Sequence, residues 1–111
     1  MNFKIKFPGG YNIENIENGN IDINVILDNK EVYFGTLFTL SNIESLIFKD
    51  QTKCFWAVNM AIVEDLRKET IKEAVDELIR DEHLKLAFSY IGNMKDVFKS
   101  IVSFDEIIDL D

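Results

Sequence analysis

The hydrophobic pattern of this chain changes its period once, and that change constrains the fold more than any other feature. Before residue 64, short segments alternate apolar and polar residues, which is the two-residue period of strands buried on one face. From residue 68 onwards, apolar residues recur at intervals of three and four, the period of an amphipathic helix. Strands followed by helices favour an α+β fold. We expect a mainly antiparallel sheet of four to five strands with two to four helices packed on one face.

Three segments of the first half carry the strand pattern. Residues 2–7 alternate polar and apolar side chains, and the Pro-Gly-Gly sequence at 8–10 ends the segment. Residues 21–27 alternate in the same way, and residues 31–38 are dense in β-branched and aromatic side chains. Because only the polar turn 28–30 separates these last two segments, the sequence predicts an antiparallel hairpin.

The middle of the chain combines a capping motif with a further apolar stretch. Ser41 precedes an apolar period and Glu44 follows three residues later, a spacing at which the two side chains satisfy free backbone donors at a helix start. We therefore predict a short helix over 42–48 that Ser41 caps. Residues 54–58 and 60–63 are largely apolar and aromatic, which predicts one interrupted strand or two consecutive strands.

Helical spacing dominates the second half. Apolar residues recur every three or four positions between 68 and 80, with charged residues on the opposite face, which predicts an amphipathic helix. The same spacing over 84–91 predicts a second helix that ends at Gly92. Asn93 is a suitable N-cap for a third helix, whose spacing runs over 94–102.

Composition is that of one domain of ordinary size. The chain has 111 residues, of which 47% are hydrophobic, and we expect residues 1–111 to form a single globular domain. The apolar runs are far shorter than the roughly 18 residues that a membrane span needs, and the first residues lack the apolar region of a secretory signal. Cys54 is the only cysteine, so no disulfide can form within the chain, and we expect a cytoplasmic protein.

The net charge of −8 restricts the classes of partner. With 20 acidic and 12 basic side chains, the chain repels a phosphate backbone and offers few cations for counterion release. The same acidic excess attracts a basic protein and speeds its encounter at low salt. We therefore expect a protein partner, with no nucleic acid and no membrane among the partners.

The residue types that carry most catalytic and metal chemistry are scarce. His83 is the only histidine and Cys54 the only cysteine, so neither a histidine cluster nor a cysteine pair can hold a metal ion. Cys54 lies in an apolar segment, where we expect a thiol to be buried and inert. Glu64 and Asp65 follow an apolar strand, but acids at this position are more typical of a helix start. The sequence predicts no catalytic, metal-binding or cofactor-binding residues, and hence no enzyme.

Two features remain as candidates for binding. The C-terminal segment carries four acids without a base, and Asp105, Glu106 and Asp109 are candidates for an acidic arm that docks on a basic partner. The alternative for this segment is a last strand or helix with one solvated side. The second feature is a central group of aromatic residues, in which Tyr33 or Trp56 is an interface anchor if it faces outwards and a core residue otherwise.

A resemblance to known proteins rests on three segments of the sequence: YFGTLFTLSNIE at 33–44, FWAVNMAIVEDL at 55–66 and ETI at 69–71. In their order of strand, capped helix, strand and helix, they resemble small acidic bacterial proteins of largely uncharacterised function. Some of those proteins look like immunity proteins encoded beside polymorphic or contact-dependent toxins. The resemblance covers residues 20–91 and implies a cytoplasmic protein that neutralises a specific toxin by binding it. It implies no functional residue.

Three hypotheses about function remain. The first is a non-enzymatic protein-binding module, most concretely an immunity protein whose acidic surface covers a basic region of its cognate toxin. The second is a self-associating structural or regulatory subunit, in which edge strands or the aromatic segment join two copies as a homodimer. The third is a small enzyme that uses only carboxylates, which requires a pocket holding an acid with a strongly shifted pKa.

Overall fold

The computed structural model describes residues 2–100 and 103–107, and within them the chain forms five strands, four α-helices and one 3₁₀ turn. This α+β architecture confirms the fold class that the change of period predicts. The strands are β1 (Phe3–Lys6), β2 (Asn20–Leu27), β3 (Glu31–Thr39), β4 (Met60–Val63) and β5 (Ser89–Asn93). The helices are α1 (Leu40–Asp50), α2 (Lys68–Arg80), α3 (Leu84–Ala87) and α4 (Met94–Val97), and the 3₁₀ turn is Phe104–Glu106.

The five strands of the described chain form one mixed sheet, in which most pairings are antiparallel. β1 pairs with β2, and β2 with β3. Two strands share the opposite edge of β3. β4 runs parallel to its C-terminal half, where Thr36 lies opposite Met60, and β5 runs antiparallel to its N-terminal half, where Tyr33 lies opposite Tyr90. β3 is therefore the central strand, and β4 lies at an edge.

The hairpin and the longest helix form where the sequence predicts them. Residues 28–30 join β2 to β3, and the Asn29 side chain stabilises the turn by accepting a hydrogen bond from the Glu31 amide at 3.0 Å. Helix α2 has the predicted bounds, and its apolar residues Ile71 and Val75 are fully buried. Both elements depend on local patterns, which explains why the sequence is sufficient to locate them.

The main core lies between one face of the sheet and helices α2 and α3. Alternate residues of the strands point to this face, and apolar side chains of the two helices complete it. Gly35 of β3 leaves room for the ring of Phe88, because any Cβ atom at Gly35 would overlap that ring. The buried side chains of this core are Ile5, Phe7, Ile21, Ile23, Val25, Leu27, Tyr33, Leu37, Val63, Leu66, Ile71, Val75, Leu84 and Phe88.

A smaller cluster covers part of the opposite face of the sheet. Ile26 and Val32, whose neighbours along the strands point into the main core, pack here with Met94 of α4 and with Ile107. The Lys4 ammonium donates a hydrogen bond to the Ile107 carbonyl oxygen at 2.7 Å, which attaches the end of the described chain to β1. Helices α2 and α3 thus lie on one face, while α4 and the 3₁₀ turn pack on the other, so the expected packing of all helices on one face is wrong.

The cap of α1 differs from the predicted one. The helix begins at Leu40, and Thr39 Oγ1 accepts a hydrogen bond from the Asn42 amide at 3.2 Å. The predicted cap at Ser41 is wrong because β3 runs directly into the helix, so that the extended and buried Thr39 occupies the N-cap position. Ser41 and Glu44 lie within the helix and are exposed.

The predicted strand over 54–58 is also wrong. This segment has no regular secondary structure and leads into a turn in which Asn59 has φ of 54°. Because β4 runs parallel to β3, the chain must cross back to the start of β4 after α1, and residues 51–59 make that connection. Cys54 lies on this connection, and it is exposed rather than buried in the core as predicted.

The second predicted helix is only half right, because residues 84–87 are helical and residues 89–91 belong to a strand. Helix α3 ends at Ala87, and the residues that follow Phe88 pair with β3 as β5. The apolar spacing is misleading here because Tyr90 and Ile91 are exposed, whereas Phe88 is buried against the sheet. Backbone pairing with the N-terminal half of β3 therefore decides the structure of this segment, and the sequence pattern does not reveal that pairing.

The third predicted helix begins at the predicted cap but is shorter than its spacing suggests. Asn93 accepts a hydrogen bond from the Lys95 amide at 3.0 Å and caps α4, which ends at Val97. Residues 101–102 of the predicted helix lie outside the described residues. Of the helices in the described ranges, none is both long enough and apolar enough to cross a membrane.

Candidate protein-interaction surface

Residues 40–62, here called the α1–β4 segment, differ from the rest of the molecule in their burial. The segment comprises α1, the connection 51–59 and most of β4, and none of its residues is buried. Ile43, Leu46 and Ile47 of α1 follow helical spacing, yet each of these side chains stays partly exposed to solvent. An amphipathic helix whose apolar side stays partly open to solvent has the properties of a surface that a partner can cover.

Large apolar side chains are concentrated on this segment. Phe48 is 86% exposed and Trp56 is 76% exposed. Tryptophan and other aromatic residues are enriched at protein interfaces and contribute more than their share of the binding free energy. The exposed large apolar residues of the segment, here called the α1–β4 apolar surface, are Leu40, Phe48, Trp56, Val58 and Ile62.

The α1–β4 segment is held on the sheet at several points. The Phe55 ring packs edge-on against Phe38, with 5.0 Å between the ring centroids. Phe38 lies opposite Ile62 in the ladder between β3 and β4, so the connection that carries Trp56 passes beside Ile62. The Asn59 side chain accepts a hydrogen bond from the Ser89 hydroxyl at 2.8 Å. These contacts present the exposed side chains from a structured support, which lowers the entropic cost of binding.

The two aromatic residues that the sequence offers as anchors have different positions. Trp56 is exposed, so a partner can reach it, and its role in binding stays a prediction. Tyr33 is a core residue: its ring packs 5.7 Å from Tyr90, and its hydroxyl donates a hydrogen bond to Glu31 Oε1 at 3.1 Å. Burial, together with the Glu31 carboxylate, raises the pKa of Tyr33 to about 12. Tyr33 as an outward anchor is therefore wrong, because its place in β3 points its ring into the main core.

The acidic residues predicted near the C-terminus are only partly described. Asp105 and Glu106 are exposed in the 3₁₀ turn, which Ser103 caps by accepting a hydrogen bond from the Asp105 amide at 3.2 Å. This turn lies next to a basic residue, since the Lys4 ammonium is 4.9 Å from the Phe104 ring centroid. Asp109 lies outside the described residues. Binding by these acids stays a prediction.

Asp65 has a structural role at the start of α2, as its position in the sequence predicts. Its carboxylate accepts a hydrogen bond from the Arg67 amide at 3.0 Å and forms an ion pair with the Arg67 guanidinium at 3.3 Å. A hydrogen bond from Thr70, together with the Arg67 amide, holds the pKa of Asp65 below its usual value. Asp65 is therefore bound within the fold rather than available to a partner.

The groups that could support catalysis are dispersed. His83 and Cys54 are both exposed, and no hydrogen bond joins them in the described structure. Within residues 2–100 and 103–107, no three His, Cys, Asp or Glu side chains converge closely enough to hold a metal ion.

Sequence reasoning missed most of the α1–β4 apolar surface. Residues 54–58 read as a strand, and a strand in the middle of a sheet would bury their side chains. Their exposure results from the parallel crossover between β3 and β4, which a single sequence does not reveal. The available signal is the polar stretch 49–53, which separates the apolar residues of α1 from those of the connection.

Comparison with known proteins adds no relative to this description. The chain matches no protein-family model, no curated protein and no solved structure.

Proposed function

We propose that this protein is a non-enzymatic protein-binding module, and most concretely a cytoplasmic immunity protein that neutralises a basic bacterial toxin by direct binding. One observation carries the proposal: the α1–β4 segment buries none of its residues and exposes five large apolar side chains. A chain of this size that already has a well-filled core gains nothing in folding from exposing Trp56 and Phe48. A partner that covers these residues removes their apolar area from water.

The charge of the molecule supports a basic partner. The net charge is −8, and long-range attraction to a positively charged protein raises the association rate, most strongly at low salt. The acidic charge and the apolar surface affect different steps of binding, namely association and dissociation. Charge steers the encounter, and burial of the aromatic side chains slows dissociation.

Self-association is the alternative function, and it has a specific basis in the same surface. A second copy could cover the α1–β4 apolar surface and form a symmetric dimer. Two copies that each carry a charge of −8 repel one another, so we expect the isolated protein to be a monomer at low salt.

The test of the proposed function is a binding assay with the protein encoded next to this gene as candidate partner. We expect a one-to-one complex that weakens with salt. Substituting Trp56→Ala together with Val58→Ala should weaken it by about 2 kcal/mol or more, roughly thirtyfold in Kd, because interface tryptophans are frequent hot spots. Isothermal titration calorimetry measures the change.

The control is Leu86→Ala, which also removes a large exposed apolar side chain, but from α3 rather than from the α1–β4 segment. We expect this substitution to leave Kd unchanged within about twofold, as most substitutions outside an interface do. An equal loss of affinity in both variants would contradict the proposed surface. A stable dimer of the isolated protein in sedimentation analysis would favour self-association instead.

A further inference from the structure

The outer edge of β4 is open in the described part of the chain. In a parallel ladder, successive residues of a strand alternate between bonding to the neighbouring strand and facing away from it. The Asn59 carbonyl oxygen accepts a hydrogen bond from the Thr36 amide at 2.8 Å, which puts Asn59, Ala61 and Val63 in the bonded set. The backbone N–H and C=O groups of Ile62 therefore face away from β3, and no other described residue bonds to them.

Four exposed carboxylates lie along this open edge. Glu73 and Glu77 of α2, followed by Asp81 at its C-terminal cap, are spaced four residues apart and so share one side of the helix. With Glu64, they line two adjoining depressions between the helix and β4, and Ile62 lines both. Like charges at this spacing weaken a helix, so these acidic residues do not occur here because they stabilise α2.

The carboxylates of this row are available to a partner. Three basic side chains at the two ends of α2 each interact with another group: Arg80 with Asp76, Arg67 with Asp65, and Lys68 with the ring of Tyr11. By contrast, Glu64, Glu73, Glu77 and Asp81 form no side-chain hydrogen bond or ion pair with any residue in the ranges 2–100 and 103–107. The edge is thus acidic where its backbone is unpaired.

We propose that the space between the open edge of β4 and the carboxylates of Glu64, Glu73, Glu77 and Asp81, here called the β4–α2 groove, binds an extended basic segment of the partner protein. The segment adds to the sheet as a further strand, with its backbone bonded to Ile62 and its Lys or Arg side chains reaching the carboxylates. This inference rests on the proposed function, because it names the chemistry of the segment that the partner presents.

Charge favours a basic segment of a partner over a second copy of this chain. Two copies joined edge to edge at β4 would bring two rows of carboxylates together, and like charges that face each other across strands are destabilising. Acids beside a sheet edge also protect it against aggregation. That protective role predicts no affinity for a basic strand, so a binding measurement separates the two roles.

The test uses a short fluorescent peptide of alternating lysine and valine as the probe, with the whole protein and fluorescence anisotropy as the readout. The variant Glu73→Lys with Glu77→Lys reverses two charges of the groove. The matched control, Glu14→Lys with Glu17→Lys, makes the same change of net charge in an exposed loop. A second peptide, methylated on alternate backbone nitrogens, keeps the charge of the first but cannot pair as a strand.

We expect the groove variant to weaken binding of the first peptide by about tenfold or more and the loop variant by less than about twofold, since only the former removes local complementarity. We also expect the methylated peptide to lose binding, and the amide resonances of Ile62 and Glu64 to shift on titration with the first peptide. No binding, equal loss in both variants, or equal binding of both peptides would each overturn the groove.

The same variants separate this inference from the proposed function. A partner whose affinity depends on Trp56 but not on Glu73 and Glu77 leaves the proposed function standing and overturns the groove. Suppose instead that the peptide binds specifically and that the affinity for the partner is unchanged by the substitution of Trp56. This result supports the groove and contradicts the proposed surface.

Discussion

At the scale of single residues, the absence of a side chain at Gly35 decides how the second half of the chain packs on the sheet. The Phe88 ring lies directly over Gly35, at the junction between α3 and β5. A larger residue at this position of β3 would push Phe88 away from the main core and with it the start of β5. The pairing of β3 with β5 therefore depends on this glycine.

We predict that Gly35→Ala lowers the free energy of unfolding by about 1–3 kcal/mol, because the new methyl group overlaps the Phe88 ring. Denaturant unfolding followed by circular dichroism measures the change. Gly9→Ala is the matched control, since a Cβ atom at Gly9 meets nothing within 4 Å. If the overlap is the cause, Gly35→Ala costs little in a Phe88→Ala background, whereas an unchanged cost there would contradict this explanation.

The Asp65 carboxylate links the stability of the fold to pH. Its pKa is lower in the folded protein than in the unfolded chain, because hydrogen bonds from Thr70 and Arg67 favour the charged form. The stabilisation is therefore fully present above the unfolded pKa of about 4 and is lost as the pH falls through the folded pKa. Acid weakens the start of α2 through this residue.

We predict that Asp65→Asn lowers the free energy of unfolding at neutral pH, because a neutral amide loses the ion pair with the Arg67 guanidinium and accepts weaker hydrogen bonds. The difference from the unsubstituted protein should shrink as the pH falls below about 4, because Asp65 itself becomes neutral. Unfolding curves at several pH values test this. A difference that is independent of pH, or one equalled by Glu14→Gln in an exposed loop, would assign the effect to something other than the Asp65 charge.

At the scale of secondary-structure elements, α1 depends on its cap more than on packing. No residue of α1 is buried, so the burial of apolar area that stabilises most helices is weak here. Thr39 accepts hydrogen bonds from the Asn42 amide at 3.2 Å and from the Gly19 amide at 3.1 Å, and so joins the helix start to the loop before β2. The cap therefore contributes an unusually large part of the local stability.

We predict that Thr39→Ala costs about 1–2 kcal/mol, the upper part of the range for losing a threonine cap, and speeds amide exchange in the first turn of α1. Ser41→Ala, at the position that the sequence pattern favours as the cap, should change stability by less than about 0.5 kcal/mol, as exposed substitutions usually do. Hydrogen exchange followed by NMR compares the two variants. The opposite order of effects would show that Ser41 caps the helix after all.

The elements that the sequence predicts are those with local causes. The hairpin of β2 and β3 follows from alternation and a short turn, and α2 follows from its apolar period. The elements that it mispredicts depend on partners distant in the chain. β5 is a strand because residue 93 pairs with residue 31, and 54–58 is irregular because β4 joins β3 in parallel.

At the scale of the whole molecule, the sequence indicates the character of the candidate surface but not its location. The acidic charge, the scarcity of catalytic residue types and the aromatic content are properties of composition, and they suffice to favour binding over catalysis. The location of the surface depends on the crossover that exposes Trp56 and on the position of β4 at the edge of the sheet, and both are consequences of topology. Tyr33 and Trp56 look equivalent in the sequence, and only the fold separates the buried residue from the exposed one.

The absence of buried residues between positions 40 and 62 also bears on how such a protein can change over evolutionary time. Substitutions at exposed positions usually alter stability by less than about 0.5 kcal/mol, so the exposed positions of this segment can vary with little effect on folding. Core residues such as Ile23 and Leu37 have no such freedom, since each is fully enclosed. In the protein-binding role proposed above, the exposed positions of the α1–β4 segment can therefore change while the core stays the same, so that one scaffold can follow a partner that is itself changing.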